Sequence, residues 1–537
     1  MVARTAHRGG SERGKGMDPH GPTHEADAAH LASFGYRQEL RRVLGLFENF
    51  AVAFAYLSPV VGIYSLFVLG FGTAGPRYLW LMPVVVIGQL FVALVFAELG
   101  SNFPIAGALF QWAKNLRGPG YAWWVGWFYG WALIITVASV ATGVVGYLCA
   151  ALNDLVGTSF DPTNPNTILA FTLVMIGLQT LINLLGVRLV GIISRYGVYL
   201  EILGTFGIAI ALAITGFHHG FGYLFESGGF ENVASNPLGV DFGGNWLTGA
   251  ALVAILAHVY IFYGFESAGD VAEEVIDAGN KVPRAIIRTI LIGGLTSFVL
   301  VAALILAIPQ GQEALAGSFA GGVPFILTDM PAILQKLALL VVIFCFFSCG
   351  TAIQAAAARL TYSYARDGGL PASGWLSKVS AKHGTPSNAL WVAAIIPTLF
   401  SLLVRFTPAE DVKILFFTYP ANVNALFILV SFGVSGIYLS FQMVVWAALR
   451  ARMKGWTPKG KWTLGKWGMP VTVLALVWGV AMLVNIVWPS GLTSPRGALF
   501  NFDWMTIGVM LVISLLGGIY YARSEEHTSE LQSRETI

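Results

Sequence analysis

Two carboxylates lie in stretches that are apolar enough to cross a membrane. Glu266 belongs to His258–Glu274, HVYIFYGFESAGDVAEE, which begins as an apolar helix and reaches Tyr-Gly-Phe-Glu-Ser at mid-membrane depth. Glu201 lies in the apolar run Val190–Ile214. Hydrocarbon offers no water to a charge, so such groups are tolerated only where they face protein or a cavity. Both are candidates for binding a cation or carrying a proton; the alternative for Glu266 is a glycine-kinked helix around a neutral, hydrogen-bonded acid.

A second polar interruption lies in the first apolar run, FENFAVAFAYLSPVVGIYSLFVLG. Ser58-Pro59 and Gly62 fall at its middle, where proline removes a donor and clashes with the preceding turn, and glycine weakens helical preference. Unwound backbone here would present free N–H groups and the positive end of the following half-helix, which suits a carboxylate. A simple proline kink is the alternative.

The composition supplies the apolar helices that must position these residues. Of the 537 residues, 56% are hydrophobic and only 11% are charged, where a soluble domain carries about 25% charged residues. The chain is therefore predicted to be an all-α membrane protein with many spans. HExxH and G-x-S-x-G are both absent from the sequence, which disfavours an enzyme.

Twelve spans are predicted, most of them near or above the ~20 residues that a crossing helix needs. They are Phe47–Leu69, Leu79–Leu99, Ala122–Leu152, Thr167–Leu185, Val190–Ile214, Leu247–Glu274, Ala285–Ile308, Ala332–Tyr364, Ala389–Leu403, Asn424–Leu449, Met469–Val487 and Trp504–Tyr521.

The two interruptions occupy corresponding places, the first and the sixth spans, in two groups of five spans. An odd number of spans reverses orientation, so the groups would form a five-plus-five inverted repeat with discontinuous helices 1 and 6, the usual pointer to a transporter's substrate site. The predicted division is residues 1–40, a disordered cytoplasmic tail; 41–216, the first repeat; 217–449, the second; 450–523, the last two spans; and 524–537, a polar tail interpreted as a non-native or misread end.

Lysine and arginine are concentrated in the loops on one side of this arrangement, which predicts that both termini are cytoplasmic. We expect a multi-pass protein of the plasma (inner) membrane. The formal net charge of +3 gives no reason to expect nucleic acid as a partner. Cys149, Cys345 and Cys349 lie in apolar runs without disulfide or zinc spacing, so we expect neither a metal nor a cofactor.

Several motifs together resemble one family, the amino acid–polyamine–organocation permeases, and most nearly their amino acid/choline branch. The matching motifs are Ser58–Ile63, Ala97–Ser101, Phe103–Gly107, Tyr263–Ala268, Ala272–Glu274, Pro283–Ala285 and Ala365–Pro371. The resemblance covers about residues 41–523. It implies the five-plus-five fold with two extra helices and alternating access around a small amine-bearing substrate.

The resemblance also implies a binding site. The Ser58–Ile63 backbone would hold a substrate carboxylate, carbonyls around Tyr260–Gly264 would hold the amino group, and Tyr260 would be an aromatic gate. Glu266 matches the acidic residue of the family's GFES-like motif. The implied site residues are Ser58, Pro59, Val60, Val61, Gly62, Ile63, Tyr260, Phe262, Tyr263, Gly264, Phe265, Glu266 and Ser267.

Glu201 matches a fifth-span position where several relatives carry a coupling lysine, and this departure puts the lysine mechanism in doubt. We predict that Glu201 carries a coupling proton, with Glu266 as the substrate-side or gating acid. One alternative is a neutral Glu201 that only hydrogen-bonds to the first helix. Another is a sodium site that uses Ser348 and Thr351.

A charge network is predicted to latch the cytoplasmic side, although a solvated face would have the same pattern. Its members are Glu273, Glu274 and Asp277 with Lys281, Arg284 and Arg288.

The sequence thus predicts a secondary active importer of amino acids or related amines, proton-coupled and without a cofactor. Exchange of related amines is the alternative mechanism, and choline, a polyamine or a γ-amino acid is an alternative substrate. A channel or a sensor is less favoured, because paired discontinuous helices indicate a closable site. The oligomeric state stays open.

Overall fold

The apolar runs fold as helices in the computed structural model, which describes residues 22–535 apart from 244, 319–320, 407, 409, 415–416, 420–424 and 489–503. The α-helices are α1 (Pro22–Ala32), α2 (Leu46–Leu57), α3 (Pro59–Ala74), α4 (Leu81–Asn102), α5 (Ala108–Arg117), α6 (Pro119–Gly143), α7 (Val145–Val156), α8 (Pro165–Leu184), α9 (Val187–Thr215), α10 (Ala250–Val259), α11 (Ser267–Asp270), α12 (Ala278–Leu306), α13 (Glu313–Ala316), α14 (Gly322–Ile326), α15 (Ala332–Arg366), α16 (Ser373–Leu376), α17 (Ser387–Ser401), α18 (Ala425–Met453), α19 (Gly468–Val487) and α20 (Met505–Glu535).

Short 3₁₀ turns and one hairpin complete the described part of the chain. The 3₁₀ turns are Pro76–Trp80, Phe221–Phe225, Ala272–Glu274, Leu327–Asp329, Leu402–Arg405 and Gly465–Trp467. The strands β1 (Val412–Ile414) and β2 (Phe417–Tyr419) pair antiparallel, with Lys413 opposite Thr418.

The described residues contain eleven helical spans that are long and apolar enough to cross a membrane. Each overlaps a predicted span, so the protein is a multi-pass helical membrane protein. The predicted span Leu247–Glu274 is represented by the shorter apolar helix α10 and the irregular segment after it. Large apolar side chains such as Leu203 and Ile214 on α9 stay 70% and 79% exposed, as suits contact with lipid.

Two helix interruptions face each other inside the bundle. The first break is Ser58, which separates α2 from α3 in a left-handed conformation with a φ of 37°. The second break is the segment 260–266 between α10 and α11, where Gly264 has a φ of 97°. Gly62 lies against Ile261, and Gly264 against Tyr56 and Leu57. Each interruption therefore packs against the other.

The bundle holds these breaks from several sides. α2 packs against α9, α12 and α15, whereas α3 packs against α10. α6 packs against α15 and α18, and α4 packs against α12 and α19. Because small residues at the breaks allow close approach, the interrupted helices are buried in the core.

Both chain ends differ from their predictions within the described residues. Residues 1–21 of the predicted disordered tail lie outside the described residues, but Pro22–Ala32 form α1. The segment is anchored, since Asp277 donates its N–H to Asp27 Oδ2 at 2.7 Å and Tyr36 donates its hydroxyl to Asp367 Oδ1 at 2.8 Å. At the other end, α20 continues to Glu535, past the predicted limit of the last span at Tyr521.

The geometry at Gly264 predicts a strong substitution effect. A Cβ there would lie 2.9 Å from Leu57 N and from the Tyr56 ring, and the positive φ disfavours any L side chain. Gly264→Ala is expected to lower the free energy of unfolding by about 2 kcal/mol. The measurement is thermal denaturation of the detergent-purified protein.

Gly177→Ala is the matched control. Gly177 lies in α8, where an added Cβ would meet no atom within 4 Å. This variant should be neutral or slightly stabilising. Equal melting temperatures for the two variants would contradict the packing of the second break.

Candidate substrate and coupling site

The first break is capped by a carboxylate from another helix. Glu201, on α9 and 1% exposed, accepts hydrogen bonds at Oε1 from the Ser58 hydroxyl and from the Val60 N–H, each at 2.8 Å. The first N–H groups of a helix lack partners within it, and the helix dipole favours negative charge there. Glu201 supplies an acceptor at the start of α3, at a position where the helix dipole favours negative charge.

Few donors remain at the start of α3. Pro59 has no N–H, Val61 N lies 3.4 Å from Ser58 Oγ, and Gly62 donates its N–H to the Ser58 carbonyl at 3.0 Å. The backbone expected to hold a substrate carboxylate is thus engaged by the protein's own groups in this structure. A substrate carboxylate could reach the Val60 N–H only if Glu201 withdrew.

The second break is stabilised by its own acid. Glu266 Oε2 accepts the Gly264 N–H at 2.9 Å, and Ser267 donates its hydroxyl to the Gly264 carbonyl at 2.7 Å. Glu266 Oε1 lies 3.0 Å from the hydroxyl of Tyr129 on α6. Glu266 is fully buried. It therefore secures the unwound backbone rather than facing open solvent.

Asp270 is a buried acid that the sequence analysis missed. It lies on α11, fully buried, with Oδ2 at 2.9 Å from the Tyr129 hydroxyl. The available signal was its spacing: residues four apart lie on one face of a helix, so Asp270 and Glu266 would be neighbours.

The aromatic residues of the second break divide between the core and a partly exposed surface. Phe262 and Phe265 are fully buried, and Gln89 donates to the Phe262 carbonyl at 2.8 Å. Tyr260 and Tyr263 are only partly buried, and the Tyr263 ring contacts the Tyr56 ring edge-on at 5.9 Å. Within this set, Tyr260 and Tyr263 are better placed than the two phenylalanines to meet a substrate.

The charge network that follows the second break has other basic partners than expected. Glu274 pairs with Arg359 at 3.1 Å, Glu273 with Arg366 at 2.7 Å, and Asp277 with Lys461 at 2.6 Å. Of the basic residues expected as partners, Lys281 acts on Asp277 only as a nearby charge, and among the described residues Arg284 and Arg288 form no ion pair with these acids. The three acids now connect α12 and the second break to α15 and to the segment before α19.

The pair of Glu274 and Arg359 is distinctive because both side chains are fully buried. Sequence reasoning missed Arg359, although an arginine in a long apolar helix such as α15 is a signal for a functional or paired charge. At Asp277, burial acts to raise the pKa, but hydrogen bonds from Lys461 and Asn280 outweigh burial and hold the pKa below its usual value.

These contacts close one end of the bundle. We call this end, which carries α1, α5 and the last turn of α15, the α1 face. There the N–H groups of Val43 and Leu44 each donate to the Glu274 carbonyl at 2.9 Å. Glu98 pairs with Arg452 and accepts the Leu464 N–H at 2.7 Å. The α1 face is therefore closed over the second break.

The remaining polar residues have mainly local roles. His258 Nε2 lies 3.2 Å from the Tyr78 carbonyl, and its ring stacks on Tyr78. Thr351, one of the two hydroxyl residues of the alternative sodium site, donates its hydroxyl to the Phe347 carbonyl of its own helix at 2.8 Å.

Fold and site together define a helical membrane transport protein whose interrupted helices meet at buried acids. The chain belongs to the amino acid permease family, since the model described as "Amino acid permease" matches residues 44–514. This membership confirms the resemblance read from the sequence and makes the protein a permease, not an enzyme.

Relatives named as transporters cover most of the chain. A putative polyamine transporter of Candida albicans is 28% identical over 87% of this chain and 82% of the relative. Amino-acid permease BAT1 of Arabidopsis thaliana is 24% identical over 94% and 96%. The thiamine transporter thi9 of Schizosaccharomyces pombe is 24% identical over 92% and 85%.

A solved structure shares the fold. The crystal structure of MhsT in complex with L-phenylalanine matches with a TM-score of 0.58 and 15% identity, covering 83% of this chain and 98% of that chain. At this identity the likeness concerns the fold alone.

The buried pair predicts unequal effects of single charge removals. Arg359→Met leaves Glu274 charged and unpaired in the protein interior, so it should lower the free energy of unfolding by about 3–5 kcal/mol. Lys336→Met breaks the ion pair of Lys336 and Asp154, whose side chains are 38% and 48% exposed, respectively. This change should lower the free energy of unfolding by only about 0–1 kcal/mol. Thermal denaturation in one detergent compares them. Similar losses in both variants would show that the buried pair has no special role.

Proposed function

We propose that this permease is a secondary active transporter that imports an amino acid or a related amine across the plasma membrane, with proton entry driving accumulation by alternating access. The observation that carries the proposal is the Glu201 carboxylate, which occupies the positive start of α3 at the first break. Membership of the amino acid permease family supports the substrate class.

The fold behind this mechanism is a five-plus-five inverted repeat, residues 41–216 and 217–449, followed by two further spans, twelve in all. Its discontinuous helices are the pair α2 and α3 and the pair α10 and α11. Their interruptions at Ser58 and at residues 260–266 support this assignment, as does the structural likeness to MhsT. Alternate exposure would come from rocking of the interrupted helices against the rest of the bundle.

Proton coupling follows from competition at the start of α3. An ionised Glu201 holds the Val60 N–H and the Ser58 hydroxyl, which a substrate carboxylate would also need. Two anions at one buried helix end repel each other. Protonation of Glu201 removes its charge and weakens its hold on the Val60 N–H, so that proton and substrate bind together.

The other substrate contacts follow from the second break. Backbone carbonyls around Tyr260–Gly264 would accept the amino group, and the partly exposed Tyr260 would close over it as a lid. Glu266 would act as the gating acid, because it holds the Gly264 N–H of the same break. Exposed backbone carbonyls near a helix end favour a cation over a neutral ligand.

The positive-inside pattern would place the α1 face in the cytoplasm, with both termini on that side. The described conformation would then be closed toward the cytoplasm. Proton-driven import would require the pairs of Glu273 and Glu274 to open in the inward-facing state.

A cationic amine without a carboxylate is the second candidate substrate. The buried acids Glu266 and Asp270 beside the second break favour it, as does similarity to a protein named a putative polyamine transporter. A thermal-shift screen of α-amino acids, γ-aminobutyrate, choline and putrescine separates the classes. If only putrescine or choline stabilises the protein, the proposed substrate is a cationic amine and not an amino acid.

Glu201→Gln tests the coupling. Glutamine resembles the protonated acid, so counterflow exchange in proteoliposomes should survive, whereas accumulation driven only by a proton gradient should fall to background. Asp154→Asn, a partly exposed acid on α7, is the control and should keep both activities. If Glu201→Gln still concentrates substrate under a proton gradient alone, Glu201 is not the proton carrier.

A further inference from the structure

A second group of buried acids lies between the second break and the closed α1 face. Tyr129 Oη lies 3.0 Å from Glu266 Oε1 and 2.9 Å from Asp270 Oδ2. All three side chains are fully buried. The phenol therefore bridges two carboxyl groups in a region without solvent.

If both acids are ionised, there are too few hydrogen atoms to form both hydrogen bonds of Tyr129. A phenol has one hydrogen, which can be donated to one carboxylate only. The other contact would then place two oxygen atoms against each other at about 2.9 Å without a hydrogen between them. One added proton satisfies both contacts, since Tyr129 can donate to one acid while it accepts from the other.

The surroundings decide which acid holds the proton. Glu266 Oε2 accepts the Gly264 N–H at 2.9 Å, which favours an ionised Glu266. Asp270 Oδ1 is buried and has no hydrogen-bond partner among the described residues. A neutral acid leaves a carbonyl oxygen there, whereas an ionised acid would leave an unpaired charge at much greater cost.

A second buried atom beside the pair also lacks a partner. Tyr56 Oη, on the helix that ends at the first break, is unpaired among the described residues, and the side chain is 2% exposed. This neutral group can compensate no charge on the acids. The titratable and charged groups that face the pair are Tyr56 on α2, Tyr129 on α6, Tyr263 in the second break, Arg359 on α15 and Tyr438 on α18.

We propose that Glu266, Tyr129 and Asp270 form a proton-binding site, separate from Glu201, in which Asp270 carries the proton and donates it in a hydrogen bond to Tyr129. Tyr129 in turn donates to the ionised Glu266. The ligand is a proton, and the site is complete within one chain.

The site would also act on the α1 face. Arg359 is the cationic group that faces Asp270, and it is hydrogen-bonded to Glu274 instead, at 3.1 Å. While Asp270 is neutral, Arg359 stays hydrogen-bonded to Glu274. When Asp270 loses its proton, Arg359 has a second carboxylate to bind. Its contact with Glu274, which helps to close the α1 face, is then weakened. The effect of Asp270 on the α1 face rests on the proposed transport function, whereas the presence of a proton on Asp270 does not.

Infrared spectroscopy of the purified full-length protein in lipid nanodiscs tests the proton directly, without any substrate. The Glu201→Gln variant removes the contribution of Glu201. At neutral pH it should still show a deuterium-sensitive carbonyl band of a protonated carboxylic acid. Adding Asp270→Asn should abolish that band, because the asparagine amide can donate to Tyr129 while Glu266 stays ionised.

Two further variants keep the test decisive. Asp270→Ser in the Glu201→Gln protein should also abolish the band, since it removes the protonated carboxyl while its hydroxyl can still donate to Tyr129, and it serves if Asp270→Asn does not fold. Asp154→Asn should leave the band unchanged. A missing band in Glu201→Gln, or an undiminished band in either Asp270 variant, would overturn the proposal even if transport is confirmed.

The effect on the α1 face has its own measurement. Asp270→Asn fixes the neutral form, so counterflow exchange should slow by roughly tenfold while substrate still binds in detergent. Unchanged exchange would remove the link to the α1 face. Absence of exchange in the wild-type protein would instead count against the proposed function, and the infrared result would still stand.

Discussion

The structure depends on one constraint: a backbone N–H buried within a membrane must find an acceptor inside the protein. Two helices are interrupted, and at each interruption a carboxylate supplies that acceptor. Glu201 takes the Val60 N–H, and Glu266 takes the Gly264 N–H. In the proposed mechanism Glu201, which stabilises the unwound backbone at the first break, also binds the coupling proton, so fold stability and proton chemistry share the same hydrogen bonds.

The closed α1 face extends this arrangement. Glu273 and Glu274 follow the second break directly and pair with arginines of α15, while the chain before α2 bonds to the Glu274 carbonyl. The second break and the α1 face are thus separated by only a few residues along the chain. Helix α2, which ends at the first break, packs against α15, and so does α11, which follows the second break. Both interrupted helices therefore contact α15.

The sequence predicted those features that local chemistry determines. Ser58-Pro59 and Gly264 mark the two interruptions, and Glu201 stood out as an acid in an apolar run. The partners of Asp270, Arg359, Glu273 and Asp277 could not be assigned, because they lie on elements that are 85 or more residues away in the chain. Helix α1 was missed because its order comes from contacts with distant loops.

The proposed mechanism requires that substrate and proton bind together at the first break. Proton uptake by the purified protein, followed with a pH indicator in weak buffer while a stabilising amino acid is added, tests it most directly. We expect about one proton to be taken up per substrate bound in the wild-type protein and none in Glu201→Gln. Saturable binding without proton uptake in the wild type, or equal uptake in both proteins, would contradict it.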